Sequence, residues 1–252
     1  MKKTCSFVLS LFAAGALSAA TSAQSDNVIG VLRVDSTEKQ TVVAIPWVAA
    51  GVNAGSIHVT DIVKTSTLTA GDQLFAYDNE NKAYKCWALD ANKVWQPSQV
   101  VTASSVLPAA GTPAADAALT RGNAIVLVRQ QPKNPGYFFV QGQVAASGDV
   151  ENTLPAGVDS LLAPPSATAT DLNDSNAVVW GLGSGDHTKD RILYKDANGA
   201  LRTAKLVEGA WKVFDTSTRE WVGAEIPAGQ GAWYQNESTE AVTVTWKAAP
   251  HL

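Results

Sequence analysis

The amino-acid sequence predicts an all-β protein with two tandem related units, each a β-sandwich or small β-barrel, after an N-terminal signal peptide helix. Three observations support this. Short runs rich in Val, Ile, Thr and aromatic residues recur between clusters of Gly, Pro, Asn and Asp, a pattern typical of many-stranded β proteins. Long helical periodicity is absent after the N-terminus. Similar motifs also recur in the same order, which predicts two units, at 24–145 and 146–252, after a signal peptide at 1–23.

The N-terminal segment has the three parts of a secretory signal peptide. Two lysines precede an apolar run at Phe7–Leu17, and small residues follow at Ser18–Ala23. The apolar run is shorter than the roughly 20 residues that a helix needs to span a bilayer. We therefore expect cleavage after Ala23, with Ala20 as the alternative, and no stable membrane span afterwards. The expected location is the periplasm, the cell surface or the extracellular space.

The charge balance argues against a nucleic-acid partner. The chain has a formal net charge of −4, and removal of Lys2 and Lys3 with the signal peptide would make it −6. Binding to a phosphate backbone depends on clustered basic residues, and no such cluster is evident in the sequence. Cleavage would also remove Cys5 and leave Cys86, so we expect no intrachain disulfide and a buried thiol that packs as a small hydrophobic group.

Short runs rich in Val, Ile, Thr and aromatic residues, separated by turn-forming clusters, predict many strands after the signal peptide. The Asn-Gly pair within Asp196–Gly199 predicts a tight hairpin turn, and Asp78–Asn81 is expected to form the corresponding turn earlier in the chain. The segment Val106–Ala118, rich in Ala and Pro, is expected to be a surface loop. The candidate strands are Val28–Val34, Thr41–Ile45, Ile57–Val63, Gln73–Tyr77, Ala83–Leu89, Ala124–Arg129, Tyr137–Val144, Ala177–Trp180, Arg191–Lys195, Leu201–Val207, Ala210–Phe214, Gly231–Gln235 and Val242–Trp246.

An internal repeat is the interpretation of the recurring motifs. Their common order is a strand, an acidic hairpin, a Trp, a Gly-containing turn and two further strands. Identity is low and gaps are needed, so chance similarity of short β segments is the alternative. The unit boundary is placed near Gln143–Asp149. The aligned segments are Val59–Ile62 with Ala169–Leu172, Gly71–Asp78 with Lys189–Asp196, Trp95 with Trp211, and Thr120–Val128 with Pro227–Gln235.

A resemblance to a known group rests on the same motifs. The residues that carry it are Asp190–Gly199, Trp211 and Ile226–Tyr234, with weaker counterparts at Asp72–Asn81, Trp95 and Arg121–Val128. In these segments the chain resembles exported β-rich repeat proteins of the Verrucomicrobia and related bacteria. The resemblance covers most of the chain after the signal peptide. It implies an exported repeat protein and supplies no catalytic residues.

No catalytic pattern emerges from the reactive side chains, so we expect no enzyme. Ser184 and His187 lie close together in sequence, but the segment lacks the Gly-x-Ser-x-Gly spacing of a nucleophile elbow. A polar loop is the favoured interpretation. Cys86 has no His in its own segment that would activate it as a nucleophile.

Metal and cofactor sites are not expected either. The three histidines, His58, His187 and His251, lack the i, i+4 spacing of a helical zinc site. The segment Asp171–Asn176 could offer oxygen ligands to calcium, yet it lacks the Gly and Glu of a calcium-binding loop. Asx turns explain these residues without a metal.

Tryptophan gives the positive indication of binding. The chain contains eight Trp, and the two that recur in the aligned motifs, Trp95 and Trp211, are expected in the core. An exposed Trp could form part of a patch for a sugar ring, with core packing as the alternative. The weak candidates for ligand binding, which have no aromatic counterpart, are Trp47, Trp87, Trp180 and Trp221.

The expected function is a non-catalytic secreted or cell-surface β-repeat protein with a structural or adhesive role. The alternative is a carbohydrate-binding module that uses exposed tryptophans, and a second alternative is an outer-membrane barrel. Glycans or other surface proteins are the expected partners. Strands that are apolar at every position, such as Ala124–Val128, favour a buried sheet over a membrane barrel.

Overall fold

The structure, a computed structural model, describes residues 29–45, 57–58, 62–78, 83–97, 112–113, 118–119, 122, 124–143 and 148–247. It confirms the all-β fold; a 3-10 turn at Thr65–Thr67 lies between the strands Val63–Lys64 and Gln73–Asp78 in the described part of the chain. The predicted signal peptide, Trp47, the hairpin turn within Asp78–Asn81 and most of Val106–Ala118 lie outside the described residues.

The strands are described in two groups, called here the first half and the second half. Those of the first half are β1 (Ile29–Asp35), β2 (Gln40–Ala44), β3 (Ile57–His58), β4 (Val63–Lys64), β5 (Gln73–Asp78), β6 (Ala83–Leu89), β7 (Trp95–Pro97), β8 (Thr112–Pro113), β9 (Ala118–Leu119), β10 (Ala124–Val128) and β11 (Tyr137–Gln143). Those of the second half are β12 (Val150–Leu154), β13 (Asp159–Leu162), β14 (Thr170–Asp171), β15 (Val178–Gly181), β16 (Arg191–Lys195), β17 (Leu201–Val207), β18 (Ala210–Asp215), β19 (Glu220–Gly223), β20 (Glu225–Ile226), β21 (Ala232–Gln235) and β22 (Val242–Trp246).

Each half contains a small sheet and a large sheet. The first small sheet has the order β1-β11-β4, and the first large sheet has the order β2-β10-β5-β6-β7 with β8 beside β6. The second small sheet has the order β12-β22-β15, and the second large sheet has the order β13-β21-β16-β17-β18-β19. The short pairs β3-β9 and β14-β20 complete the described strands. Strand orders therefore correspond between the halves, which agrees with the predicted repeat; the division into two units stays a prediction.

Within each half, side chains of the small sheet and of the large sheet share one hydrophobic core. Alternation along the strands decides which side chains fill it: in β16, Ile192 and Tyr194 are buried while their neighbours are more exposed. The first core contains Trp87 and Trp95, and the second contains Trp211 and Trp246. The core positions predicted for Trp95 and Trp211 are confirmed, since they are 6% and 1% exposed.

The first large sheet is buried on both faces. One face meets the first small sheet. On the other, Phe75, Cys86, Val126 and Val128 form a cluster that contacts Leu161 and Trp233 of the second half. This double burial explains why every residue of β10 is apolar and buried. The buried position predicted for the Cys86 thiol is confirmed.

Small residues permit the close approach of the two halves. Gly231 precedes β21, and a Cβ added there would lie 2.8 Å from Val42 Cγ1 and 3.1 Å from Ala124 Cβ. Its backbone N–H also donates to the Val42 carbonyl at 3.0 Å. The contacts are reciprocal, because a Cβ at Gly122 of the first half would lie 2.7 Å from Val150 Cγ1 of the second. Each half thus presents a glycine-containing turn to the other.

Some strands differ from the sequence predictions. The predicted strand Ile57–Val63 is replaced by parts of two strands in different sheets, β3 and β4. The strands that were not predicted are β7, β8, β9, β12, β13, β14, β19 and β20. Of these, β8 and the first residue of β9 lie within Val106–Ala118, which was expected to be a loop. In β12 only Leu154 is buried, and every residue of β19 is exposed. Their weak apolar signal reflects their positions at sheet edges.

Candidate ligand-binding face

The candidate site lies on the outer face of the second large sheet, the face that points away from the second small sheet. At one end of this face, Leu161 and Trp233 are covered by the first half. At the other end, formed by β17, β18 and β19, apolar side chains are exposed. The largest of these are Leu201, Phe214 and Trp221, with 68%, 43% and 43% of their surfaces accessible.

An aromatic pair forms the centre of the exposed end. Phe214 and Trp221 lie directly opposite each other in the β18-β19 ladder. Their ring centroids are 5.4 Å apart and their planes meet at 65°, the edge-to-face arrangement that aromatic side chains favour. Alternation in β18 places Trp211 and Val213 in the core and turns Phe214 outward.

The turn between β18 and β19 fixes the position of Trp221. The Asp215 carboxylate accepts hydrogen bonds from the Ser217 hydroxyl at 2.6 Å and from its backbone N–H at 2.8 Å. The hydrogen bond from the Ser217 hydroxyl, with that from its backbone N–H, lowers the pKa of Asp215. The Arg219 N–H closes the turn on the Asp215 carbonyl at 2.8 Å. The aromatic pair is therefore held by a local turn motif.

A row of three basic side chains runs beside the aromatic pair. Arg191 is paired with Lys205 in register, and Lys205 with Lys212. Residues paired in this way have Cβ atoms about 5 Å apart on the same face. Lys212 lies two residues before Phe214, so the basic row and the aromatic pair are separated by about 7 Å along the strands.

The region around the basic row carries more positive than negative charge. The Lys212 ammonium contacts the Glu208 carboxylate at 3.1 Å. Within the described part of the chain, neither Arg191 nor Lys205 has an ion-pair partner. Asp159 lies at the far end of the row, near Gln235. Like charges in cross-strand pairs destabilise a sheet, so the fold gains nothing from this row.

The corresponding positions of the first half carry no charge. There the register joins Gln73 to Ala88 and Ala88 to Gln96, in place of Arg191, Lys205 and Lys212. The adjacent row contains Phe75 and Cys86, which are buried under the second half. The basic row and the exposed aromatic pair therefore distinguish the second half from the first.

The four tryptophans predicted as ligand-binding candidates have different environments. Trp221 is exposed and belongs to the candidate site. Trp87 is 0% exposed, and this corrects the surface role predicted for it. Trp180 is half-buried: its indole N–H donates to the Leu172 carbonyl at 2.8 Å, and its ring lies 5.1 Å from that of Trp211. Packing therefore accounts for Trp180, while Trp47 lies outside the described residues.

Sequence reasoning missed Phe214 and the basic row. One signal was available in the sequence, the pair Glu208-Gly209 between two predicted strands. In the structure both residues have positive φ, at 54° and 78°, and they form a two-residue hairpin turn between β17 and β18. Such a turn fixes the register of its strands, and this register places Lys205 opposite Lys212.

The segment containing Ser184 and His187 holds a buried polar network. The His187 ring, through Nδ1, lies 2.8 Å from Asp190 Oδ2, and the Tyr234 hydroxyl donates to the same oxygen at 2.5 Å. Burial and the bond to Asp190 raise the pKa of Tyr234. Ser184 instead donates its hydroxyl to the Glu240 carboxylate at 3.1 Å. The predicted polar loop thus contains a buried His and Asp that order the loop, with its serine engaged elsewhere.

The segment Asp171–Asn176 was the candidate for calcium, and the described residues contain no cluster of side chains that could hold a metal ion. In Asp171–Asn176, the Asn173 backbone N–H donates to the Asp171 carboxylate and the Asn176 backbone N–H donates to the Asp174 carboxylate, each at 2.9 Å. These are the hydrogen bonds of Asx turns.

A polar groove of about 550 Å³ lies between the halves, with Arg33, Tyr137 and Lys195 among its lining residues. The Lys195 ammonium already donates to the Gln40 carbonyl at 3.2 Å.

Comparison with known proteins gives no match to a protein-family model, a curated protein or a solved structure. The resemblance to exported Verrucomicrobial repeat proteins therefore stays a prediction. No helix of the described residues has the length and apolar character needed to cross a membrane.

Proposed function

We propose that this protein is a non-catalytic, exported binding protein that recognises carbohydrate through the outer face of its second large sheet. The observation that carries the proposal is the exposed pair of Phe214 and Trp221. An aromatic ring on a sheet face offers an apolar surface to the faces of sugar rings, and nearby polar groups can orient the hydroxyls.

Three features support binding over a purely structural role. The aromatic pair lies at an open sheet edge, where strand β19 leaves both rings accessible. A local turn motif holds the pair, so little ordering is needed when a ligand binds. Basic and hydroxyl-bearing side chains, such as Lys212 and Thr203, lie on the same face. Export and a surface location remain proposals based on the N-terminal sequence pattern.

A glycan array probed with the purified chain tests this function. We expect binding to at least one glycan class, and at least a tenfold weaker affinity for the Trp221→Ala variant, equivalent to about 1.4 kcal/mol. The matched control is Val31→Ala, because Val31 is an exposed apolar residue of the first half. Its affinity should match that of the parent chain.

Two results would contradict the proposal. A blank array would favour the structural role. Equal binding by the Trp221→Ala variant would show that the site lies elsewhere. Near-ultraviolet circular dichroism of each variant establishes that it is folded.

A further inference from the structure

We infer that the ligand of the outer face is an acidic polysaccharide, one that carries carboxylate or sulfate groups on successive sugars. This inference rests on the proposed carbohydrate-binding function and specifies its substrate class. It is carried by the basic row, Arg191, Lys205 and Lys212, which lies beside the exposed aromatic pair.

The geometry of the row suits a linear polyanion. Its three cations lie on three adjacent strands, and neighbouring strands are about 4.8 Å apart. Anionic groups repeated along an extended polymer can therefore meet successive cations. The aromatic pair lies about 7 Å to one side, close enough for one sugar ring to stack there while its acidic substituent reaches Lys212.

The charge distribution indicates that the row is a recognition feature. The whole chain is negative, at −4, so its average field repels a polyanion and attraction depends on this local row. Arg191 and Lys205 have no acidic partner among the described residues, which leaves both available to a ligand. The equivalent first-half residues, Gln73, Ala88 and Gln96, are uncharged, so the fold itself does not require basic residues here.

A polysaccharide fits these observations better than a nucleic acid. Affinity for nucleic acid comes from neutralising many phosphates, and three cations on a negative protein supply few contacts. Single-stranded nucleic acid also uses a series of aromatic platforms for successive bases. Here Phe214 and Trp221 meet edge to face at 65°, which leaves no such series.

The decisive experiment measures binding of the full chain to four probes by calorimetry: polygalacturonate, dextran sulfate, neutral dextran and an oligothymidylate. We expect polygalacturonate or dextran sulfate to bind at least tenfold more tightly than neutral dextran. We also expect the affinity to fall at least fivefold between 50 and 300 mM sodium chloride, because salt screens exposed charges.

Two double variants that each remove two positive charges distinguish the effect of the basic row from the effect of overall charge. The Lys205→Gln, Lys212→Gln double variant should bind the acidic polysaccharide at least tenfold more weakly. The control, Lys64→Gln with Lys133→Gln, removes two exposed lysines of the first half and should change affinity less than twofold. Relief of like-charge repulsion predicts that the first double variant is about as resistant to urea as the parent. Urea denaturation of both double variants checks that a loss of binding does not come from unfolding.

The outcomes separate this inference from the function on which it rests. If neutral dextran or other neutral glycans bind as tightly as the acidic polymers, the carbohydrate-binding function stands and the inference is wrong. If no glycan binds, both are wrong. Tighter binding to the oligothymidylate than to either acidic polysaccharide would also overturn the inference, as would equal losses in the two double variants.

Discussion

Asp72 and Asp190 make the same hydrogen bond at corresponding places in the two halves. Asp72 accepts from the Gln130 backbone N–H at 2.7 Å, and Asp190 accepts from the Glu237 backbone N–H at 2.8 Å. Both carboxylates are fully buried. Asp72 joins the turn before β5 to the segment that follows β10, and Asp190 joins the turn before β16 to the segment that follows β21. The aligned Asp residues are therefore structural anchors.

This anchoring predicts a large loss of stability for Asp190→Ala. The substitution leaves the buried Tyr234 hydroxyl and the part-buried Glu237 backbone N–H without their acceptor, and a buried donor without an acceptor costs about 1–3 kcal/mol. We expect the free energy of unfolding to fall by about 3 kcal/mol, measured by urea denaturation. Glu151→Ala, at an exposed position of β12, should change it by less than about 0.5 kcal/mol. A small effect of Asp190→Ala would show that the anchor is dispensable.

The contact between the halves predicts that Gly231→Ala is destabilising. The added methyl group would overlap Val42 and lie 3.0 Å from the Leu162 carbonyl oxygen, and overpacking of this kind costs about 1–3 kcal/mol. Thermal unfolding should show a lower Tm. Gly223→Ala is the control, because the nearest atom to its added Cβ is Asn173 Nδ2 at 3.8 Å. Equal Tm values for the two variants would contradict the close approach.

The contrast between a buried and an exposed tryptophan predicts losses of stability of very different size. Trp87→Ala should lower the free energy of unfolding by about 3–5 kcal/mol, because it empties a large volume of the core. Trp221→Ala should lower it by less than about 1 kcal/mol, since 43% of the side chain is already exposed. Urea denaturation followed by circular dichroism measures both. Similar losses would contradict the assignment of Trp221 to the surface.

The turn before β19 predicts a pH effect centred on Asp215. Its folded pKa lies below the unfolded value because the Ser217 hydroxyl and N–H donate to the carboxylate. Its stabilising contribution is therefore present above the unfolded pKa of about 3.9, and it is lost as the pH falls through the folded pKa. Ser217→Ala should raise the pKa of Asp215 in a carboxyl NMR titration.

Asp186 serves as the internal control for that titration. Its pKa is also lowered, chiefly by the Thr188 hydroxyl, and Ser217→Ala should leave it unchanged. If the Asp215 pKa stays the same in the variant, the Ser217 hydroxyl is not the main cause of its shift.

The sequence predicts the fold class and many strands because local patterns determine both. Continuous apolar character in Ala124–Val128 predicts a sheet buried on both faces, and the structure shows that burial. The turn predicted at Asp196–Gly199 is confirmed: the Gly199 N–H donates to the Asp196 carbonyl at 2.9 Å, and Gly199 has a φ of 79°.

The candidate site was less predictable because it depends on register across several strands. Trp221 was a candidate from composition alone, whereas Arg191 and Lys205 come together only when β16 and β17 pair. Trp87 was a candidate because it has no aromatic counterpart in the second half, with core packing as the alternative. Strand pairing and packing decide the alternative, because they place Trp87 in the first core, on the face that meets the first small sheet.

The double burial of the first large sheet also constrains how the chain is made. During synthesis from the N-terminus, Phe75, Cys86 and Val126 emerge well before Leu161 and Trp233, which cover them in the finished protein. The nascent first half therefore presents an apolar sheet face with no cover until nearly the whole chain has left the ribosome. Exposed faces of this kind promote aggregation, so a truncated product that ends after β11 is expected to depend on chaperones to remain in solution.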